Sequence, residues 1–269
     1  LMQMKKAGYL TEAEADSLKT LPIELKFRRS DHKEGIATYF RMYLRDRLMA
    51  KKPVRSYYAD WQYQKYYEDS LAWETDPVYG WCNKNFKKDG RPYNIYTDGL
   101  KIYTTIDSRM QRYAEEAVNE HVKKYLQPAF FKEKKGRRTA PFTNKLTEQE
   151  VENILTRAMK QSDRYRIMKK AGHSMEEIEK VFHTPYEMSV FTYDRGEVDT
   201  LMSPMDSIRY YKHFLRCGFM SMEPGTGHVK AYVGGPEFSH FQYDMAMVGR
   251  RQVGSTIKPY LYTLAMENG

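Results

Sequence analysis

A serine and a lysine near the C-terminal end of the sequence have types and a spacing suited to nucleophilic catalysis. Ser255 and Lys258 stand three positions apart in GSTIKP, so a helix that begins there places both side chains on one face. A serine hydroxyl becomes a useful nucleophile when a base takes its proton, and a partly buried lysine can be that base. Free backbone N–H groups at the beginning of the helix would stabilise an oxyanion. Pro259 favours a helix that begins at Ser255, because proline is tolerated only in the first turn.

Spacing alone leaves a second interpretation open. The same Ser-x-x-Lys spacing occurs at Ser30 and Lys33, in a stretch that is interpreted as a loop. One such match is expected by chance in a chain with 44 lysine and arginine residues. Serine is also a common N-cap residue, so spacing without context favours Ser255 as a helix cap.

The segments that precede this pair are predicted to position it. Residues 217–235 (CGFMSMEPGTGHVKAYVGG) predict two strands joined by a Pro-Gly-Thr-Gly turn. The alternating stretch 99–107 (GLKIYTTID) predicts another strand. Asp107 is then the N-cap of a long amphipathic helix over 108–126. The apolar positions of this helix are Met110, Tyr113, Ala114, Ala117, Val118 and Val122.

The N-terminal part of the sequence predicts three helices. The pentapeptide MKKAG (4–8) suits the end of the first, with its glycine in the left-handed conformation. Thr11 and Glu14 form a capping box for the second helix, which Pro22 ends. The third is amphipathic and covers 35–52. Its apolar side consists of Ile36, Phe40, Tyr43, Leu44 and Leu48.

Two further helices in the middle of the chain begin with capping boxes, one at Thr147 with Glu150 and the other at Ser174 with Glu177. Between them MKKAG recurs at 168–172, which predicts the same helix ending used twice rather than a domain repeat. Two more elements follow, a strand with its turn (188–204) and a helix (205–215).

Composition describes a folded, basic chain without a metal or disulfide pattern. The net charge of +9 lies entirely within 123–170, which holds 14 Lys and Arg against 5 Asp and Glu. Such a block favours an anionic partner or forms a solvated helical face. Cys82 and Cys217 lack metal-ligand spacing and are too few for a disulfide framework. No apolar run is long enough to span a membrane.

Several stretches together resemble the class A (bifunctional) penicillin-binding proteins. The start of the transpeptidase region in that family is similar to GLKIYTTIDSRMQRYAEEAV (99–118), GHVKAYVGG (227–235) and QYDMAMVGRRQVGSTIKP (242–259). The family's glycosyltransferase tail and exit helix are similar to MKKAGYLTEAEADSL (4–18) and TYFRMYLRDRL (38–48). The resemblance implies an α+β fold that combines a lysozyme-like glycosyltransferase domain with a β-lactamase-like serine transpeptidase domain.

The implied organisation has four parts. The end of the glycosyltransferase domain with its exit helix covers 1–52, and an aromatic-rich linker region covers 53–126. A basic helical insertion covers 127–215, and the truncated start of the transpeptidase domain covers 216–269. An incomplete sheet would leave Tyr232 and Val233 with an unpaired edge and an uncovered face, so we expect this end to be poorly ordered.

The resemblance also implies the chemistry. Ser255 would attack the penultimate D-alanine carbonyl of a peptidoglycan stem peptide, Lys258 would be the general base, and β-lactams would acylate Ser255. No cofactor and no metal are implied for this reaction. The implied partners are stem peptides, the lipid-linked precursor and cell-wall proteins. A membrane span upstream of residue 1 would hold the protein in the cytoplasmic (inner) membrane, facing the periplasm or the cell exterior.

The sequence departs from the family's pattern in what it lacks. Neither a Ser-x-Asn motif nor a Lys-Thr-Gly motif occurs in it, although serine transpeptidases need both. The glutamate of glycosyl transfer is expected upstream of residue 1. We therefore expect the chain by itself to be inactive in both reactions.

A nucleic-acid-binding protein is the alternative from another class. Residues 154–182 could form a helix-turn-helix, with the basic 123–170 block contacting phosphates. The second helix, however, carries Glu176, Glu177 and Glu179 where base-reading side chains are expected.

Overall fold

The computed structural model describes residues 1–22 and 35–269, and the chain divides into two units, 1–34 and 35–269. In the first unit, α1 (Met2–Lys6) and α2 (Glu12–Lys19) confirm the two predicted helices. Both halves of the predicted capping box are present at Thr11 and Glu14. The Ser30–Lys33 spacing lies outside the described residues.

The second unit is α+β, as predicted, with helices and two small antiparallel sheets. Its helices before the middle of the chain are α3 (Thr38–Leu48), α4 (Tyr63–Thr75), α5 (Trp81–Lys84), α6 (Ser108–Val118) and α7 (Gln127–Lys134). The later helices are α8 (Glu148–Gln161), α9 (Asp163–Lys170), α10 (Met175–His183), α11 (Pro204–Tyr211) and α12 (Lys258–Asn268). The strands are β1 (Tyr186–Thr192), β2 (Gly196–Met202), β3 (Phe219–Met222) and β4 (Val229–Val233).

The helix predicted over 35–52 is shorter than expected, and its buried side differs. α3 begins at Thr38 after Ala37 in the left-handed conformation, so Ile36 precedes the helix and is 41% exposed. Leu48 is buried as predicted, but the other buried apolar side chain of the helix is Tyr39, which the prediction left out. Phe40, Tyr43 and Leu44 of the predicted side are only half-buried.

The prediction of a strand at 99–107 is wrong, because this segment does not pair with any strand of the described chain. It makes two hydrogen bonds to β4 instead, from the Thr105 hydroxyl to the Val229 carbonyl (2.8 Å) and from the Asp107 N–H to the Lys230 carbonyl (2.9 Å). Asp107 is the predicted N-cap of α6, since its carboxylate accepts from the N–H groups of Arg109 and Met110. These hydrogen bonds lower the pKa of the Asp107 carboxyl, with that from Met110 contributing most.

The helix that follows Asp107 continues beyond its predicted end. α6 leads into a π-helical segment, Asn119–Leu126, and then into α7, so helical backbone runs from 108 to 134. Of its predicted apolar positions, Ala114 and Val122 are buried, whereas Met110 and Tyr113 are exposed. Packing therefore uses a narrower face than the sequence pattern indicates.

Residues 147–211 build a small core of their own. The predicted capping boxes at Thr147 and Ser174 are both present, and MKKAG at 168–172 ends α9 as predicted, with Gly172 at φ 89°. The β1–β2 hairpin runs from the pair Tyr186–Met202 to the pair Thr192–Gly196. The buried side chains come from three helices: Val151, Leu155, Met159, Ile178, Phe182 and Met205.

A left-handed glycine joins the aromatic linker region to α3. Gly80 has φ 73°, and its N–H donates to the Arg47 carbonyl at 2.6 Å. A Cβ on Gly80 would overlap the Trp73 ring and lie 2.9 Å from the Ala50 carbonyl oxygen. Only glycine fits this position without displacing the ring or the end of α3.

We expect Gly80→Ala to lower the free energy of unfolding by about 2–4 kcal/mol, because left-handed strain and overpacking add. Gly90→Ala is the matched control, since Gly90 has φ 78° but nothing within 4 Å of its Cβ position. Urea unfolding followed by tryptophan fluorescence measures both. Equal losses in the two variants would mean that the Trp73 contact contributes nothing.

Candidate active site

The predicted hairpin before Ser255 is confirmed. β3 and β4 are antiparallel, with Phe219 opposite Val233 and Tyr232 opposite Met220. The turn between them is closed by the Glu223 N–H, which donates to the His228 carbonyl at 2.9 Å. The hairpin therefore forms within the described chain.

The expectation that β4 has an uncovered face is wrong. Tyr232 is 6% exposed and Val233 is 3% exposed. Val233 packs with Ala231 and with Ala114 of α6, whereas Tyr232 packs on the other face with Tyr39 of α3. Helices on both sides thus provide the cover that the rest of a larger sheet was expected to supply. The apolar side chains of β3 are the exposed ones, namely Phe219, Met220 and Met222.

A buried glutamine fixes β4 to α6. Gln111 has no exposed surface, and its side-chain amide pairs with both backbone groups of Tyr232. Its Nε2 donates to the Tyr232 carbonyl at 2.8 Å, and its Oε1 accepts from the Tyr232 N–H at 2.7 Å. Nε2 also donates to the Glu115 carboxylate at 2.7 Å. The side chain therefore takes the place of a neighbouring strand at this residue.

A second glutamine repeats this arrangement at the other end of the same helical run. Gln127 is 2% exposed. Its Nε2 donates to the His213 carbonyl at 2.9 Å, and its Oε1 accepts from the Leu215 N–H at 2.8 Å. The segment between α11 and β3 is thereby held to the beginning of α7.

The loop from β4 to the serine is fixed at Asp244. Its Oδ2 accepts from the Tyr232 hydroxyl at 2.5 Å, and its Oδ1 accepts from the N–H groups of Ala246 and Met247 at 2.9 and 3.1 Å. The Met245 N–H donates to the Gly234 carbonyl at 2.8 Å. Burial, followed by the hydrogen bond to Asp244, raises the pKa of the Tyr232 hydroxyl, so it stays a donor.

The candidate pair lies where the sequence predicts a helix to begin. Ser255 is in a 3-10 turn, Gly254–Ile257, and Lys258 is the first residue of α12. Both residues are exposed. Within the described chain the two side chains make no hydrogen bond with each other, and the neighbouring Thr256 hydroxyl donates to the Val253 carbonyl at 2.5 Å. The partial burial that would favour lysine as a base is not seen at this position.

α12 itself buries none of its residues. Its exposed apolar side chains include Tyr260, Leu261, Leu264 and Met266. A helix that carries a catalytic serine at its start normally needs packing to hold it in place. Ser255 thus lies at the start of a helix, and that helix is not packed against the rest of the described chain.

Metal and thiol chemistry find no support in the described part of the chain. It contains no group of three or more His, Cys, Asp or Glu side chains that could hold a metal ion. Cys82 and Cys217 are free thiols, and burial raises the pKa of both, which disfavours the reactive thiolate. None of the helices in 1–22 and 35–269 is long and apolar enough to cross a membrane.

Sequence reasoning missed the residues that position the segment before Ser255. Gln111 was passed over because glutamine is not an apolar residue, although it lies three positions before Ala114 and eleven before Val122 on the buried face. A polar residue on an apolar face is a usable signal of a buried hydrogen bond. Tyr39 carries no comparable local signal, since its partner Phe241 is distant in sequence, whereas the hydrogen bonds from the Ala246 and Met247 N–H groups to Asp244 are local.

Comparison with known proteins links this arrangement to one family. Residues 137–215, which include α8 to α11 and the β1–β2 hairpin, match the family model of the penicillin-binding protein middle domain. Penicillin-binding protein 1A of Rickettsia bellii (strain RML369-C) is 26% identical over 197 residues, covering 67% of this chain and 24% of the relative. No solved structure matches the chain.

Shorter but closer similarities point the same way. Penicillin-binding protein 1A of Escherichia coli (strain K12) is 48% identical over 50 residues, covering 19% of this chain and 6% of the relative. Penicillin-binding protein 2D of Bacillus subtilis (strain 168) is 40% identical over 55 residues, covering 20% and 8%. The chain spans about a quarter or less of the length of these relatives. With its middle-domain match at 137–215 and its similarity to penicillin-binding protein 1A over two thirds of its length, the chain resembles the penicillin-binding proteins.

Proposed function

We propose that this chain is a segment of a bifunctional peptidoglycan synthase and that Ser255 is the nucleophile of its transpeptidase reaction. One observation carries the proposal. A Ser-x-x-Lys sequence begins a helix shortly after a strand hairpin, in a chain whose 137–215 segment matches the penicillin-binding protein middle domain. The whole protein would polymerise glycan strands and cross-link their stem peptides.

The proposed chemistry is acyl transfer through a serine ester. The Ser255 oxygen attacks the carbonyl carbon of the penultimate D-alanine, and Lys258 takes the hydroxyl proton. Free N–H groups at the beginning of the helix stabilise the tetrahedral oxyanion. The peptide bond then breaks, terminal D-alanine leaves with the proton, and the ester passes to an amine of a neighbouring strand or to water. No cofactor takes part.

The proposed reaction needs more than this chain supplies. The sequence holds neither Ser-x-Asn nor Lys-Thr-Gly, and Ser255 and Lys258 are exposed. We infer that groups from the remainder of the transpeptidase domain cover α12 and bury the lysine. The protein would act at the outer face of the cytoplasmic membrane, with the lipid-linked precursor, stem peptides and β-lactams as ligands and cell-wall proteins as further partners.

We expect a β-lactam to add once to the full-length protein and not to its Ser255→Ala variant, because ring opening leaves the whole drug as an ester on the nucleophile. Intact-mass analysis after incubation with benzylpenicillin measures this. Thr256→Ala is the matched control, since it removes the adjacent hydroxyl and should keep the adduct. An adduct that survives in Ser255→Ala, or a folded wild-type protein without any adduct, would overturn the assignment.

The nucleic-acid alternative gains no support from the comparisons or from the described residues. α9 and α10 do follow each other as in a helix-turn-helix. However, Ile178 and Phe182 are buried in the core of 147–211, and Glu177 is used in the capping box. The remaining surface of α10 includes Glu176 and Glu179, whose charge repels phosphate.

A further inference from the structure

A tyrosine from α3 packs closely against the backbone at the end of β4. Tyr39 is 6% exposed, and its ring lies against Gly234 and Gly235. A Cβ on Gly234 would come within 2.7 Å of the Tyr39 ring, and one on Gly235 would overlap the Tyr39 hydroxyl oxygen. The two glycines therefore leave the space that the tyrosine occupies.

The same tyrosine also holds the next part of the chain. Its hydroxyl donates to the Phe241 carbonyl at 2.5 Å, and its ring meets Phe238 edge-on with centroids 4.9 Å apart. Burial raises the pKa of the Tyr39 hydroxyl, so it remains protonated and able to donate. One side chain of α3 thus contacts the loop both where it leaves β4 and seven residues later.

Asp244 fixes the part of the loop between the Tyr39 contacts and Ser255. It binds the Tyr232 hydroxyl on one oxygen and two loop N–H groups on the other, and its carbonyl accepts from the N–H groups of Val248 and Gly249 at 3.0 Å. We call Tyr39, Gly234, Gly235, Phe241 and Asp244 the Tyr39 junction. It fixes the chain as far as Gly249, six residues before Ser255.

We propose that Tyr39 is a positioning residue for the acylation of Ser255. It touches no reacting atom. It acts by fixing the loop between β4 and Ser255, and so the position of the serine. The inference rests on the proposed function, because it concerns the same serine. α3 lies in the predicted exit helix of the glycosyltransferase domain. Through the Tyr39 junction, the position of Ser255 in the predicted transpeptidase site would therefore depend on a helix of the glycosyltransferase domain.

The test is the rate of acylation by a fluorescent penicillin in the full-length protein. Tyr39→Phe keeps the ring but removes one buried hydrogen bond, and we expect the acylation rate constant at saturating drug to fall about 3- to 10-fold. The non-covalent binding constant should change little, because the junction contacts no ligand. Tyr113→Phe is the matched control, as its exposed hydroxyl makes no hydrogen bond within the described chain.

A stability control separates positioning from a general loss of folding. Phe182→Leu perturbs the core of 147–211 and should lower the melting temperature without slowing acylation. Gly235→Ala should slow acylation by pushing against the Tyr39 hydroxyl, and Tyr39→Phe in the same chain should partly relieve it. Such non-additivity is expected only when two residues act through one contact.

Each outcome is decisive. Slower acylation in Tyr39→Phe and Gly235→Ala, with both controls at the wild-type rate, supports the inference. A wild-type rate in Tyr39→Phe, or equal slowing in Phe182→Leu, overturns it while leaving the proposed function intact. A wild-type protein that is not acylated removes the proposed function and this inference with it.

Discussion

Gln111→Leu is expected to lower the free energy of unfolding by about 4 kcal/mol. The substitution leaves the N–H and the carbonyl of Tyr232 without partners in a region where Gln111 itself has no exposed surface. Each unsatisfied buried backbone group costs about 1–3 kcal/mol, and Glu115 loses a donor as well. Leucine is close in volume, so the loss reports hydrogen bonding rather than a cavity. Urea unfolding followed by circular dichroism measures the change.

The control for this variant is an exposed glutamine in another helix. Gln149 is exposed and bonds to Asn153 at the helix surface, so Gln149→Leu should change stability by less than about 0.5 kcal/mol. Amide exchange adds a local measurement, since the Tyr232 N–H should exchange faster in Gln111→Leu. A loss below about 1 kcal/mol, with unchanged exchange at Tyr232, would contradict the assigned role of Gln111.

Phe182→Ala is expected to cost about 4 kcal/mol in the same assay. Phe182 is 1% exposed and packs in the core built by α8, α10 and α11. Replacing a buried phenylalanine by alanine removes apolar contacts and leaves a cavity, at a cost of about 3–5 kcal/mol. Because this core lies within the 137–215 match, the middle domain should lose its structure first.

Two control variants test whether the loss comes from the buried position and from the lost volume. Ile167→Ala removes an apolar side chain that is 68% exposed on α9, and it should cost less than about 0.5 kcal/mol beyond helix propensity. Phe182→Leu should cost less than half of Phe182→Ala, since most of the volume remains. Equal effects of Ile167→Ala and Phe182→Ala would show that α10 does not form part of a core.

The elements that sequence predicted well are those that short-range contacts decide. The capping boxes at Thr147 and Ser174 each involve residues three positions apart, and Asp107 caps the turn that follows it. The β3–β4 hairpin is equally local, because a short turn joins its strands. In such cases the partner of each backbone group can be read from the neighbouring residues.

The failures share a dependence on distant partners. The alternating stretch 99–107 has the pattern of a strand, but a strand also needs a neighbouring strand with free backbone groups. Among the described residues, the hydrogen bonds from this stretch to β4 come from Thr105 and Asp107. The cover over Tyr232 and Val233 comes from α3 and α6, which lie far away in sequence. The helix start at Ser255 is predictable, whereas the catalytic roles of Ser255 and Lys258, and the domain boundaries, remain predictions.

The π-helical segment 119–126 separates the two glutamines that clamp backbone on either side of it. Gln111 and Gln127 are 16 positions apart, about 24 Å at the α-helical rise. The wider turns of a π-helix change the angle at which the second glutamine leaves the axis. The number of residues in this segment therefore determines the angle, about the helix axis, between Gln111 and Gln127. It thereby helps to set the orientation of β4 and the loop to Ser255 relative to the middle domain. Deleting one residue there would turn Gln127 by about 100° about the helix axis, away from its present partners, the His213 carbonyl and the Leu215 N–H.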